Sequence, residues 1–160
     1  MLWETLSKEL VFSDLDVSKR DDVFETMGSK LVGLGYCKST YIEALKNREL
    51  IFPTGLDVNG IGVAIPHTDP EHVEKNAVAI AKLKNKVDFI AMATDPKDNI
   101  TVPVSVVFML AVSGGKHIEF LQRVILLLQN QQALSQLVNA SGPEEIINII
   151  RKGEMENENL

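Results

Sequence analysis

Arg48-Glu-Leu-Ile-Phe-Pro-Thr-Gly-Leu-Asp-Val-Asn-Gly-Ile-Gly-Val-Ala-Ile-Pro-His-Thr-Asp-Pro-Glu-His72 is the stretch around which the chain is organised. At its centre, Ile61 to Ile65 is an apolar, largely β-branched run bounded by Gly60 and Pro66, the pattern of a buried strand with a firm stop. Pro66 fixes its own φ and offers no N–H to a ladder, so the chain must leave the sheet there. His67 therefore sits just past a strand end, where an imidazole can reach solvent. A loop histidine on its own reads as well as a structural residue. What singles this one out is its company: Arg48 lies upstream, His117 opens a later helix, and glycines crowd the approach. Together they offer an imidazole, a guanidinium and room for an anion.

Immediately downstream, Thr68-Asp69-Pro70-Glu71 is a helix start. Either Asp69 caps it with Pro70 at the first position, or Thr68 caps it with Glu71 closing a capping box. Both choices make Asp69 and Glu71 capping residues rather than catalytic acids. Upstream, Pro53-Thr-Gly55 forces a turn and Asp57 to Gly60 reads as a polar loop able to pass close to a ligand. Before that, Val23, Phe24, Met27, Leu31 and Leu34 recur at helical spacing, with Ser18 as cap and Gly35 as stop. A second helix follows Ser39 and runs to about Leu50, which places Arg48 at its end. Leu10 to Phe12 suggests an opening strand.

Further on, Ala77 to Leu83 and Val87 to Met92 read as two strands divided by a turn at Lys84-Asn85-Lys86. Val102 to Val112 is nearly continuous apolar sequence, the signature of a central strand covered on both faces, with Pro103 marking its start. Ser113-Gly-Gly-Lys-His117 leads into what should be the longest helix, striped by Ile118, Leu121, Ile125 and Leu128. His117 falls in its first turn, where unpaired N–H groups favour a neighbouring anion and a neutral ring. Ala133 to Val138 continues as helix, and a last one runs from Pro143 through Ile146, Ile147 and Ile150. A polar, frayed tail is expected from Gly153.

With no repeat and no linker, this is an α/β (α+β sandwich) pattern: one domain over 1–153, a mixed sheet flanked by helices on both faces, and a tail at 154–160. At 160 residues with 45% apolar and 24% charged positions, the chain is an ordinary globular protein. A net charge of −6 without clustered Lys and Arg argues against nucleic acid as a partner. The single cysteine, Cys37, excludes an internal disulfide and a cysteine-based zinc site. The N-terminus lacks a basic start with an apolar segment behind it, and the longest apolar run is too short to cross a bilayer. A cytoplasmic location without membrane insertion is the expectation.

Several chemistries lack their motifs. No Gly-x-Ser-x-Gly, Walker loop, Gly-x-Gly-x-x-Gly or kinase motif occurs. His67, Asp69 and His72 could be drawn as the metal site of a hydrolase, but their spacing does not match the His-Glu-x-x-His helix. Phosphoryl relay through histidine asks for less: a neutral imidazole nitrogen attacks in line while donors surround the phosphoryl oxygens. No cofactor, metal or general base is required.

Arg48-Glu49, Pro53-Thr54-Gly55-Leu56, Gly62-Val-Ala-Ile-Pro-His67-Thr-Asp-Pro-Glu-His72-Val and the helix carrying His117 resemble the type-2 IIA component of the bacterial phosphoenolpyruvate:sugar phosphotransferase system, the fructose/mannitol family. The Phe-Pro-Thr-Gly-Leu and Ile-Pro-His-Thr-Asp-Pro-Glu-His-Val segments are most similar to its galactitol-specific branch. The resemblance implies a phosphotransferase component of the sugar-uptake machinery. In that role His67 accepts a phosphoryl group from phosphorylated HPr and passes it to a cysteine of a cognate IIB, itself coupled to a membrane IIC. It also implies that His117 and Arg48 line the phosphoryl site, with Thr54, Gly55 and Thr68 in its loops. His67 is followed by Thr-Asp where many relatives have Gly, which fits the galactitol branch. Other members of the family are regulators, in the nitrogen-related branch or within transcription factors, using the same histidine.

Overall fold

The computed structural model describes residues 1–158. Five strands, β1 (Val11–Leu15), β2 (Gly55–Val58), β3 (Ile61–Ala64), β4 (Ala77–Ile90) and β5 (Thr101–Ala111), form one mixed sheet in the order β1-β4-β5-β3-β2. The β1–β4 and β3–β5 pairs are parallel; β2–β3 and β4–β5 are antiparallel. Helices α1 (Arg20–Gly33) and α2 (Tyr41–Ile51) pack on one face, and α3 (His117–Leu128), α4 (Gln131–Val138) and α5 (Pro143–Glu158) on the other. The expected mixed sheet between two helical layers is what the chain forms.

Side-chain alternation explains the two layers. On β4, Ala77, Ala79 and Ala81 face α1 and α2, while Val78 and Ile80 face α3 to α5. The alanines leave space that the large Phe24, Met27 and Tyr41 fill. Along β5 the parity reverses: Val102 and Val104 share a face with Val107 and Met109. The pairing shows why, since Gly62 opposes Val104 but Val63 opposes Val106, leaving Ser105 as the extra residue of a bulge. β5 is thus buried on both faces, as its sequence implied, although it begins at Thr101 and carries Pro103 inside it.

Four local expectations change. The residues read as two strands form one, β4, whose register against β5 shifts between Lys82 and Val87. The exposed Lys84-Asn85-Lys86 segment stays extended, because apolar pairing resumes at Val87 opposite Val104. The polar loop at Asp57 to Gly60 is instead the end of a hairpin: Gly55 to Val58 pairs with β3, and Asn59 and Gly60 take φ of 52° and 91°. Those angles are what a two-residue Asn-Gly turn requires. α1 starts at Arg20 with Lys19 as cap residue rather than Ser18, and its first-turn Asp21 and Asp22 favour the positive dipole end. Its stop is the expected one, with Gly35 left-handed and Tyr36 N–H returning to Leu31 O.

The last change is at the C-terminus. α5, at 16 residues, is longer than the 12-residue α3 and continues through Gly153 to Glu158. Glu154 is buried, and its carboxylate accepts from the backbone N–H groups of Leu2 (2.9 Å) and Trp3 (2.7 Å). The expected tail therefore helps fasten the chain's beginning to its end. Among the described residues no helix is long and apolar enough to cross a membrane.

Candidate functional site

β3 ends at Ala64, and the chain turns outward through buried Ile65 and Pro66. The corner is fastened to β5: Leu110 N–H donates to Pro66 O at 2.9 Å, and His67 forms an isolated parallel bridge with Leu110. On the same residue, Leu110 O accepts from the fully buried Tyr41 hydroxyl at 2.7 Å. His67 is half-buried on this rigid ledge. Its Nδ1 lies 2.8 Å from Ile65 O. A carbonyl can only accept, so Nδ1 carries the proton and, in the neutral ring, Nε2 holds the lone pair.

The expected site residues divide between two adjoining clefts. His67 and Thr54 line one of about 310 Å³. Arg48, Thr68, Asp69 and His72 line the other, of about 470 Å³, and the two share Ile51 and Phe52 as a wall. The Arg48 guanidinium lies 5.2 Å over the Phe52 ring and donates from Nη1 to Asp69 Oδ1 at 3.1 Å. Asp69 occupies the cap position of the 3-10 turn Pro70–His72 but makes no side-chain cap bond, its carboxylate being turned to Arg48. Thr68 is buried and donates its hydroxyl to Asp69 O. Gly55 lies in the sheet, where its carbonyl accepts from Met92 N–H and an added Cβ would meet Ile90 O at 2.7 Å.

His117 is the first residue of α3, and its side chain lies outside the described residues. His67, Asp69 and His72 do not assemble as a metal site: the first faces Ile65 O, the second Arg48, and His72 Nδ1 lies 2.8 Å from Thr40 Oγ1. Among the described residues no three metal-ligating side chains converge.

Two features escaped the sequence reading. Glu49 is 3% exposed, and its Oε1 accepts from Thr54 N–H (2.8 Å) and from the Thr54 hydroxyl (2.9 Å). Burial pushes its carboxyl above the ordinary range, and the Thr54 bonds offset part of that rise. Only its place in the last turn of a helix, just before Pro53-Thr54, hints at this. The second is an apolar rim: Leu50, Ile51 and Phe52 are 62%, 65% and 59% exposed at the end of α2, and Met92 lines the same cleft as Ile51 and Phe52.

Residues 4–153 match the family model described as phosphoenolpyruvate-dependent sugar phosphotransferase system, EIIA 2. The chain belongs to this family. It is 30% identical over 154 residues to the fructose-specific EIIABC component of Bacillus subtilis, covering 93% of this chain but 23% of that protein. Against the mannitol-specific enzyme IIA component of Staphylococcus aureus it is 25% identical, covering 94% of this chain and 98% of that one. Among solved structures the EIIA fold recurs in Escherichia coli enzyme IIAMtl complexed with phosphorylated enzyme IIBMtl. That match has a TM-score of 0.76 and 20% identity, covering 92% of this chain and 97% of that one. It recurs too in the nitrogen regulatory protein IIA-Ntr of Neisseria meningitidis, with a TM-score of 0.71 and 28% identity over 92% of this chain and 97% of that one.

Proposed function

We propose that this EIIA domain is a phosphocarrier of a sugar phosphotransferase system, with His67 as the residue that carries the phosphoryl group. The observation that supports this most is the Nδ1–H bond to Ile65 O, which leaves the Nε2 lone pair as the nucleophile. Nε2 attacks the phosphorus of phosphorylated HPr in line; the new N–P bond forms as the donor's N–P bond breaks, and the donor ring keeps the electron pair. In a second in-line displacement a cysteine thiolate of IIB attacks that phosphorus; the S–P bond forms as the Nε2–P bond breaks, and Nε2 recovers its electron pair. Arg48, held beside the corner by Asp69, and His117 at the start of α3 would supply donors to the phosphoryl oxygens, with Thr54, Gly55 and Thr68 forming the surrounding backbone. The rim of Leu50, Ile51 and Phe52 suits docking of protein partners one after another, since it places desolvatable area beside the imidazole. Galactitol is the sugar we assign to the system, on the Ile-Pro-His-Thr-Asp-Pro-Glu-His-Val segment; the sugar itself meets only the membrane IIC.

The test is labelling from phosphoenolpyruvate through the general phosphotransferase proteins. His67→Ala should take no label, and an acid-labile label persisting in that variant would overturn the assignment. Transfer from the labelled protein to galactitol-, mannitol- and fructose-type IIB proteins then reads specificity. The 28% identity to IIA-Ntr favours one second reading, a regulator that is phosphorylated on the same histidine. Label that enters His67 but reaches no IIB would favour it.

A further inference from the structure

We infer that Glu49 is a positioning residue for His67, acting through Thr54 and Ile65 to keep the ring in the tautomer whose Nε2 carries the lone pair. The inference rests on the phosphocarrier reading for its kinetic consequence, but its geometry stands alone. Glu49 belongs to the last turn of α2 and is 3% exposed, with no ion pair among the described residues; the neighbouring Arg48 is engaged with Asp69. Arg20 and Arg48 offset only part of what burial costs this carboxylate, and an apolar side chain would fill the space with less penalty. Packing alone does not account for it.

What the carboxylate does is polarise one hydroxyl. Its Oε1 lies 2.8 Å from Thr54 N and 2.9 Å from Thr54 Oγ1, with Oε2 at 3.1 Å from the same hydroxyl. The Thr54 proton is thereby committed to Glu49, which turns an Oγ1 lone pair toward Ile65 N–H at 3.2 Å. Ile65 lies beyond the β3 ladder, so this side-chain bond is what seats its N–H. At the other end of the same residue, Ile65 O accepts from His67 Nδ1–H. The path runs from carboxylate to hydroxyl, to Ile65, to imidazole; the Ile65 N–H can only donate and its carbonyl only accept, which leaves the Thr54 proton for Glu49 and puts the ring proton on Nδ1. Without the carboxylate, Thr54 can rotate its proton toward another acceptor, Ile65 loses its seat, and the carbonyl that selects the Nδ1–H tautomer is no longer fixed.

The experiment uses the full chain with 15N-labelled histidine. Ring couplings measured where the imidazole is neutral read the tautomer of His67, and phosphorylation from phosphoenolpyruvate through the general phosphotransferase proteins reads its rate. Wild type should show Nδ1–H. Glu49→Leu should give a tautomer mixture and phosphorylation slower by about tenfold or more, with the dependence on donor concentration unchanged, because a ring displaced by a fraction of an ångström loses in-line geometry. Glu49→Gln keeps an oxygen for both Thr54 donors and should restore both readings. A folded Glu49→Leu protein with wild-type tautomer and rate would overturn the inference, as would a wild-type ring protonated on Nε2. If Glu49→Leu does not fold, Thr54→Val removes the same hydroxyl link and decides by the same readings: a shifted tautomer supports the path, an unchanged one ends it. If wild type takes no label, the phosphocarrier reading fails while the tautomer comparison still decides the role of Glu49.

Discussion

Gly62→Ala should damage both fold and site, and the cost can be worked from the sheet. Gly62 lies in β3 opposite Val104 of β5, and a Cβ added there would come 1.8 Å from Pro103 O and 2.7 Å from Pro103 C. Both obstructing atoms are backbone of the central strand, so no side chain can swing aside. The strands would have to part by about 1.2 Å to bring that approach out to the 3.0 Å below which real Cβ contacts essentially do not occur. A ladder bond of about 2.9 Å stretched that far exceeds ~4 Å and is lost. Two such bonds at about 1 kcal/mol each, with overpacking at about 1–3 kcal/mol, give a loss of about 3–5 kcal/mol.

Such a loss is a large part of the ~5–15 kcal/mol that holds a domain together. For a chain of this size it corresponds to a fall in Tm of about 6–20 °C. Urea and thermal melts followed by circular dichroism would measure it. Because β3 delivers the corner that carries His67, phosphorylation of whatever folds should slow as well. Gly33→Ala is the control: nothing lies within 4 Å of its Cβ at the end of α1, and it should leave stability unchanged or raised by about 0.4–1 kcal/mol. A Gly62→Ala protein melting within about 2 °C of wild type would refute the close approach of β3 to β5.

Three further perturbations test other parts. Burial holds the Glu49 carboxyl above its ordinary 4.5, so the folded state binds that proton more readily than the unfolded chain. Folding stability from this group is therefore fully present below 4.5 and is lost as pH rises through the raised value; Glu49→Gln should abolish that slope, gaining on wild type in urea melts at about pH 7 but not at about pH 4. An equal difference at both pH values would show that the carboxyl is not raised. Glu154→Ala strands the Leu2 and Trp3 N–H groups, and a loss of about 2–3 kcal/mol with faster exchange of amides near the N-terminus is expected; unchanged melting would mean water replaces the carboxylate. Asp69→Asn should alter stability by less than about 1 kcal/mol, since its pair with Arg48 is solvent-accessible. A larger loss in chemical denaturation would mean that solvent does not screen the pair.

What could be read without coordinates was what short-range chemistry dictates. Val102 to Val112 announced a central strand because burial on both faces leaves no polar alternation, and Pro66 announced the exit of β3 because proline cannot extend a ladder. β2 escaped because Asp57 interrupts a strand of only four residues, although Asn59-Gly60 was the turn signal that could have revealed it. The C-terminal turn of α5 escaped for a different reason: the partners of Glu154 lie at the other end of the chain, and no local pattern marks a carboxylate that will cap two N–H groups there.

The candidate site divides along the same line. The corner that carries His67 was legible because it follows from a local device, the strand end plus proline, and the ring's Nδ1 bonds to a carbonyl only two residues back. Glu49 was not, because an acid near a helix end reads as solvated until tertiary packing buries it against Thr54. A histidine on a flexible loop would sample both tautomers and many ring orientations, and each would have to be paid for at the moment of transfer. Here Leu110 holds the backbone of the corner from β5, Tyr41 holds Leu110 from α2, and Glu49 with Thr54 holds Ile65 from the same helix. α2 thus braces the imidazole from two directions and ends in the exposed Leu50-Ile51-Phe52 rim. On the phosphocarrier reading, a partner docking on that rim would bear on the helix that braces the His67 corner, and docking would be joined to ring geometry through one rigid element rather than through the loop.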